Sequence, residues 1–123
     1  MNYKKVIEIL KQKYPGKKII KNDEKNPTEI VCEIDPTEDH KDHSVVIAVI
    51  DRSIPHYHKI TTEIYEVIKG ELTIFKNNQK HKLKTGDKLT ILPNEIHYAV
   101  GQETWVKTTG RPGWVLSDHI ISK

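Results

Sequence analysis

From Glu29 to Thr109 the sequence is a succession of short segments rich in β-branched residues, and nothing in that span has the spacing of a helix. Turn formers divide the segments: Asp35-Pro36, Asn77-Asn78, Thr85-Gly86, Pro93-Asn94 and then Arg111-Pro112-Gly113. Strands that follow one another without crossover helices pair antiparallel and bury their inner faces by closing on themselves. The spacing predicts strands at Glu29 to Ile34, Ser44 to Asp51, Glu63 to Lys69, Glu71 to Lys76, Gln79 to Lys84, Lys88 to Leu92, His97 to Val100 and Thr104 to Thr109. Eight short antiparallel strands make an all-β jelly roll or closed barrel. The run Val45 to Ile50 does not alternate, as expected of a strand covered on both faces.

Ahead of the strands, Tyr3, Val6, Ile7, Leu10 and Tyr14 form a helical stripe, with Asn2 as its cap and Pro15-Gly16 as its stop. Residues 1–16 therefore read as a short N-terminal α-helix packing on the barrel or on a partner subunit, and residues 17–123 as a single barrel domain. At 123 residues the chain is the size of one domain. The lysines are scattered, with a net charge of only +3, which disfavours nucleic-acid binding. The longest apolar run is the six residues Val45 to Ile50, so no membrane span is expected. One cysteine, Cys32, cannot form an internal disulfide, and a cytoplasmic location is expected.

The segment His56-Tyr57-His58 places two imidazoles two residues apart, and strand geometry turns both to one face. Glu63 follows after four residues with an oxygen ligand, and His97 arrives on a separate strand. Three neutral imidazoles and one carboxylate suit a first-row divalent ion, and the lack of thiolate argues against a structural zinc site. Such a set leaves coordination positions open for substrate, water or dioxygen.

These residues resemble the cupins, whose first motif reads G-x5-H-x-H-x(3,4)-E-x6-G and whose second reads G-x5-P-x-G-x2-H-x3-N. His56, His58, Glu63 and Gly70 match the first, and Gly86 and His97 the second, over the segment from Asp51 to Gly101. Ile50 stands at the leading glycine of the first motif, and Leu92, Asn94 and Gly101 stand where the second has Pro, Gly and Asn. None of these is a ligand position, and Asn94 tolerates the left-handed backbone of a turn glycine. The resemblance implies a cupin double-stranded β-helix that holds one divalent transition metal per chain (Mn, Fe, Ni, Zn, Co or Cu) on His56, His58, Glu63 and His97. It also implies a small-molecule substrate and a homodimer.

Alternation from Glu63 turns Tyr65 inward, a candidate catalytic or pocket residue, and places Ala99 beside His97. Trp105, Arg111 and Trp114 are candidates for the barrel mouth, with Arg111 able to pair with a carboxylate or phosphate. His40, His43, His81 and His119 fit no ligand spacing and read as surface or loop residues. The expected function is a metalloenzyme isomerising or epimerising a sugar, sugar phosphate or oxo acid. The alternatives are a metal-dependent dioxygenase and a non-catalytic metal or small-ligand-binding module.

Overall fold

A computed structural model describes residues 1–122. Helix α1, Tyr3–Lys13, begins at Asn2, whose side chain accepts a hydrogen bond from the Lys5 amide at 3.4 Å. Its buried stripe of Val6 and Leu10 packs on Ile30, Cys32, Ile47 and Val49. Those four residues are the outward-facing positions of β2, Glu29–Asp35, and β3, Ser44–Arg52. The inward positions of β3, Ala48 and Ile50, belong to the barrel core with Val67, Leu72, Ile74, Ile91 and Val106. Strand β3 is thus covered on both faces, which explains its unbroken apolar run.

The remaining strands are β1, Lys18–Lys21; β4, His56–Tyr57; β5, Thr62–Lys69; β6, Glu71–Lys76; β7, Gln79–Lys84; β8, Lys88–Ile91; β9, His97–Arg111; and β10, Ile120–Ile121. All pair antiparallel, and the two asparagines at 77 and 78 take the positive φ values that a tight β6–β7 hairpin requires. The described residues contain ten strands rather than eight. Three short strands, β1, β4 and β10, lack the length to show periodicity. The two segments expected at His97–Val100 and Thr104–Thr109 are one strand.

That long strand, β9, is the spine of the barrel. Its first half pairs with β4 and β6, and its second half lies between β3 and β5. The halves meet at a bulge: Ile50 faces Thr104 while Arg52 faces Val100, so β9 takes four steps where β3 takes two. The bulge is fastened by Thr104 Oγ1 donating to the Glu71 carbonyl at 2.6 Å and by Asp51 accepting from the Glu103 amide at 2.7 Å. Such a bulge bends the strand and shifts its alternation. His97 and Ala99 face inward before it; Val106 and Thr108 face inward after it.

Gly101 lies at this bend, and a Cβ there would sit 2.5 Å from Thr104 Oγ1 and 2.9 Å from the Ile50 carbonyl oxygen. The backbone contact cannot rotate away. Gly101→Ala is therefore expected to lower stability by about 2 kcal/mol through local overpacking, measured as a shift in the urea midpoint. A shift within error of wild type would show that the bulge relaxes freely.

Candidate metal centre

The structure brings His56, His58, Glu63 and His97 together, all buried, with one ligand atom from each lying within 4.8 Å of the others. His56 on β4 is paired directly across from His97 at the start of β9. Glu63 is the first inward residue of β5. Ahead of His97, Asn94 adopts φ 70 and donates its amide to the His58 carbonyl at 2.6 Å, closing the turn that a glycine makes in the second cupin motif.

Hydrogen bonds on the far side of each ring fix which nitrogen faces inward. His56 Nδ1 lies 2.7 Å from the Ile54 carbonyl, His97 Nδ1 2.9 Å from the Glu95 carbonyl and His58 Nδ1 2.8 Å from the Asp118 carbonyl. A carbonyl only accepts, so each Nδ1 carries the proton and each Nε2 keeps its lone pair. His58 Nε2 stands 3.0 Å and His97 Nε2 3.4 Å from Glu63 Oε1. These three atoms are buried and none has a well-formed hydrogen bond. Acceptors gathered this way call for a cation between them, and the N₃O donor set fits a divalent transition metal.

The electrostatics of His56 and Glu63 agree, while those of His58 favour a proton with which a metal ion would compete. Burial, reinforced by His97 and His119, pulls His56 down to about 3, so it stays neutral and available as a ligand. Burial alone would raise the Glu63 carboxyl, but His58 and His97 outweigh it and hold it well below the usual carboxylate range. Burial opposes a charge on His58, and Glu63 more than offsets that, so its value is raised.

A cavity of about 320 Å³ opens beside His56 and Glu63. Its walls include Val31, Val46, Ala48, Ile54, Leu116 and Trp114, with Glu29, Tyr65, Thr108 and His119 as polar groups. Tyr65 faces the interior, as alternation predicts. Its hydroxyl is held in the protonated form by burial and by Glu63 and Glu29, so it stands as a hydrogen-bond donor. Trp114 also lines the cavity.

Three expectations need correction. Arg111 is exposed at the end of β9, and Trp105 packs on the outside among the residues around α1, with Lys13 Nζ 5.3 Å from its ring centre. Neither lines the cavity, because the bulge turns the odd-numbered positions of β9 outward beyond residue 104. His119 is half-buried, not a surface residue, and its ring stacks on His56 at 4.1 Å. Asp118 beside it accepts from the amides of Lys59, Ile60 and Thr61 at 2.8, 3.1 and 3.0 Å, tying the C-terminal segment under His58. His40 and His43 are half-buried and cluster with Asp35.

Glu29 was missed by sequence reasoning, although alternation on β2 signals it: Ile30 and Cys32 face the helix, so Glu29 and Val31 face the barrel. Burial first, and Glu63 second, raise its carboxyl to about 7. An acid raised on folding is neutral in the folded protein at pH 5 but partly ionised in the unfolded chain, so it weakens the fold as pH rises above its unfolded value. Glu29→Gln is expected to stabilise the protein at pH 8 and to change little at pH 4. Thermal melts at the two pH values check this, and equal effects at both would contradict it.

Among the described residues no helix is long and apolar enough to cross a membrane. The profile of the AraC-like ligand binding domain family matches residues 48–109. Quercetin 2,3-dioxygenase of Bacillus subtilis (strain 168) is 34% identical over 47 residues, 38% of this chain. The chain spans only 14% of that protein's length. Among solved structures, the nucleoside dehydratase Pac13 of Streptomyces superposes with a TM-score of 0.73 at 16% identity, over 89% of this chain and 90% of its own. A cupin-like protein of Thermotoga maritima superposes with a TM-score of 0.59 at 21% identity, over 68% of this chain and 67% of its own. Half of the chain lies within the matched profile and the barrel superposes on those of cupins, so the chain belongs to the AraC-like ligand binding domain family and has the cupin double-stranded β-helix fold.

Proposed function

We propose that this protein is a metal-dependent cupin enzyme that binds one divalent transition-metal ion on His56, His58, Glu63 and His97 and acts on a small oxygenated molecule in the adjoining cavity. The observation that carries the reading is the set of three imidazoles, each with Nδ1 committed to a carbonyl, directing their lone pairs with Glu63 Oε1 to one point. A divalent ion held there supplies a Lewis acid that polarises a carbonyl or hydroxyl.

The lining residues favour one class of substrate. Val46, Ala48, Ile54 and Trp114 give the cavity apolar walls suited to a flat, partly apolar face. Its lining contains one lysine, Lys21, already paired with Glu24 at 3.0 Å. That lining favours a hydroxy-ketone, diol or oxo acid over a sugar phosphate. Tyr65 donates a hydrogen bond to a substrate oxygen, and Glu29, with a carboxyl raised to about 7, takes or returns a proton at neutral pH. Isomerisation or epimerisation is the chemistry such a pair performs.

A dioxygenase is the second reading, supported by the segment similar to quercetin 2,3-dioxygenase. Trp114 gives a direct test of ligand binding, with Trp105→Phe removing the other indole. Metal-free protein is titrated with Mn²⁺, Fe²⁺, Ni²⁺ or Zn²⁺, then with quercetin, uridine and simple hydroxy-ketones while Trp114 fluorescence is followed. Quenching that requires the metal is expected. Protein that takes up no metal at the barrel centre would refute the proposal, and oxygen uptake under Fe²⁺ would favour the second reading.

A further inference from the structure

A second group of metal-binding side chains stands outside the barrel, where β2 ends and the loop of residues 36–43 leads into β3. His40 Nε2 lies 2.7 Å from one oxygen of Asp35, and His43 Nε2 lies 3.3 Å from the other. The two rings stack with centres 4.0 Å apart. On their opposite edges stands Asp42, with Oδ2 3.3 Å from His43 Nδ1 and Oδ1 3.5 Å from His40 Nδ1. His40 Nδ1 is buried and has no well-formed hydrogen bond.

Each imidazole therefore has a carboxylate at both nitrogens. As the side chains stand, His40 Nε2 is hydrogen-bonded to Asp35 at 2.7 Å; with the proton on Nδ1 instead, facing Asp42, the Nε2 lone pair is free for an ion shared with Asp35, and a carboxylate beyond the ring is what orients a histidine toward a metal. One oxygen of Asp35 and a nitrogen from each ring come within 4.8 Å of one another.

We propose that Asp35, His40 and His43 form a second divalent-metal site, separate from the barrel centre, with Asp42 as the orienting carboxylate. Two imidazoles and a carboxylate without thiolate select zinc, nickel, cobalt or copper over calcium or magnesium. The side chains remain about one-third exposed, so water completes the coordination and the ion exchanges readily. The site bears on the cavity through its loop. The Gly113 amide donates to the Lys41 carbonyl at 2.9 Å and Thr37 Oγ1 donates to the Trp114 carbonyl at 2.5 Å, so the loop that carries the ligands also seats a cavity wall. An ion that fixes His40 and His43 stiffens that loop and holds Trp114 in place.

The test is calorimetric titration of metal-free protein with Zn²⁺, comparing wild type with His40→Ala/His43→Ala. The double variant is expected to bind one equivalent fewer. If the barrel centre also binds, the change is from two equivalents to one; if the barrel reading fails, it is from one to none, so the two proposals fail separately. Unchanged stoichiometry overturns the second site. Asp42→Asn is expected to retain the stoichiometry while weakening this site about tenfold, and unaltered affinity would overturn the orienting role. Should the double variant not fold, Cu²⁺ added to wild type decides the matter: broadening of the His40 and His43 imidazole resonances at one added equivalent beyond the barrel centre supports the site, and sharp resonances there refute it.

Discussion

Replacing His58 with alanine is expected to weaken divalent-metal binding at the barrel centre by more than about 100-fold, since even groups that only orient a ligand are worth 10- to 100-fold. Of the four proposed ligands, His58 is the one tied to a distant part of the chain: its Nδ1 is held by the Asp118 carbonyl, while its Nε2 stands 3.0 Å from Glu63 Oε1. The loss also appears as stability. An ion at 100 times its dissociation constant stabilises the native state by about 2.7 kcal/mol, and the variant should keep less than about 0.4 kcal/mol of that gain. Thermal melts with and without Zn²⁺, made in the His40→Ala/His43→Ala background, isolate the barrel centre. A variant that retains the metal-induced shift would show that His58 is not a ligand.

Asp118→Ala is expected to cost about 4 kcal/mol, because three backbone amides lose a charged acceptor and Asp118 is almost fully buried. Burial would raise this carboxyl, but the amides of Lys59, Thr61 and Ile60 outweigh it and hold it below the ordinary aspartate value. The sign of the pH dependence follows. A depressed acid contributes stability that is fully present above its unfolded pKa, roughly 4, and is lost as pH falls through the lower folded value. The gap between wild type and variant should therefore be full at pH 7 and narrow in strong acid. Urea midpoints across that range measure it, and a loss under about 1 kcal/mol at pH 7 would mean that water replaces the carboxylate.

The cluster of His56, His58, Glu63 and His97 was legible because its signal is local. His56 and His58 are two residues apart, Glu63 opens a strand, and the turn chemistry of Pro93-Asn94 announces His97. The inward face of β5 was equally readable, since Glu63, Tyr65 and Val67 alternate without interruption. Trp105 and Arg111 were misplaced because a bulge at Gly101–Thr104 reverses the phase of β9, and its geometry depends on contacts with Asp51 and Glu71 from distant strands. His119 was read as a surface or loop residue for a similar reason: it reaches His56 only because Asp118 anchors its segment to residues 59–61. Glu29 carried a readable alternation, but a charged residue in a strand is usually solvated, and only the closed barrel shows that this one faces the cavity.

The continuous run of β9 also bears on how the chain reaches its native state. Its partners β3, β4, β5 and β6 all precede it, so these earlier strands cannot complete their pairing until residues 97–111 have been made and docked. Such distant pairings close large loops before they return any stabilisation, which slows folding. Until β9 arrives, β3 displays an apolar edge to solvent. A nascent chain halted before His97 should accumulate as an aggregation-prone intermediate, and one extended past Arg111 should fold in a single late step.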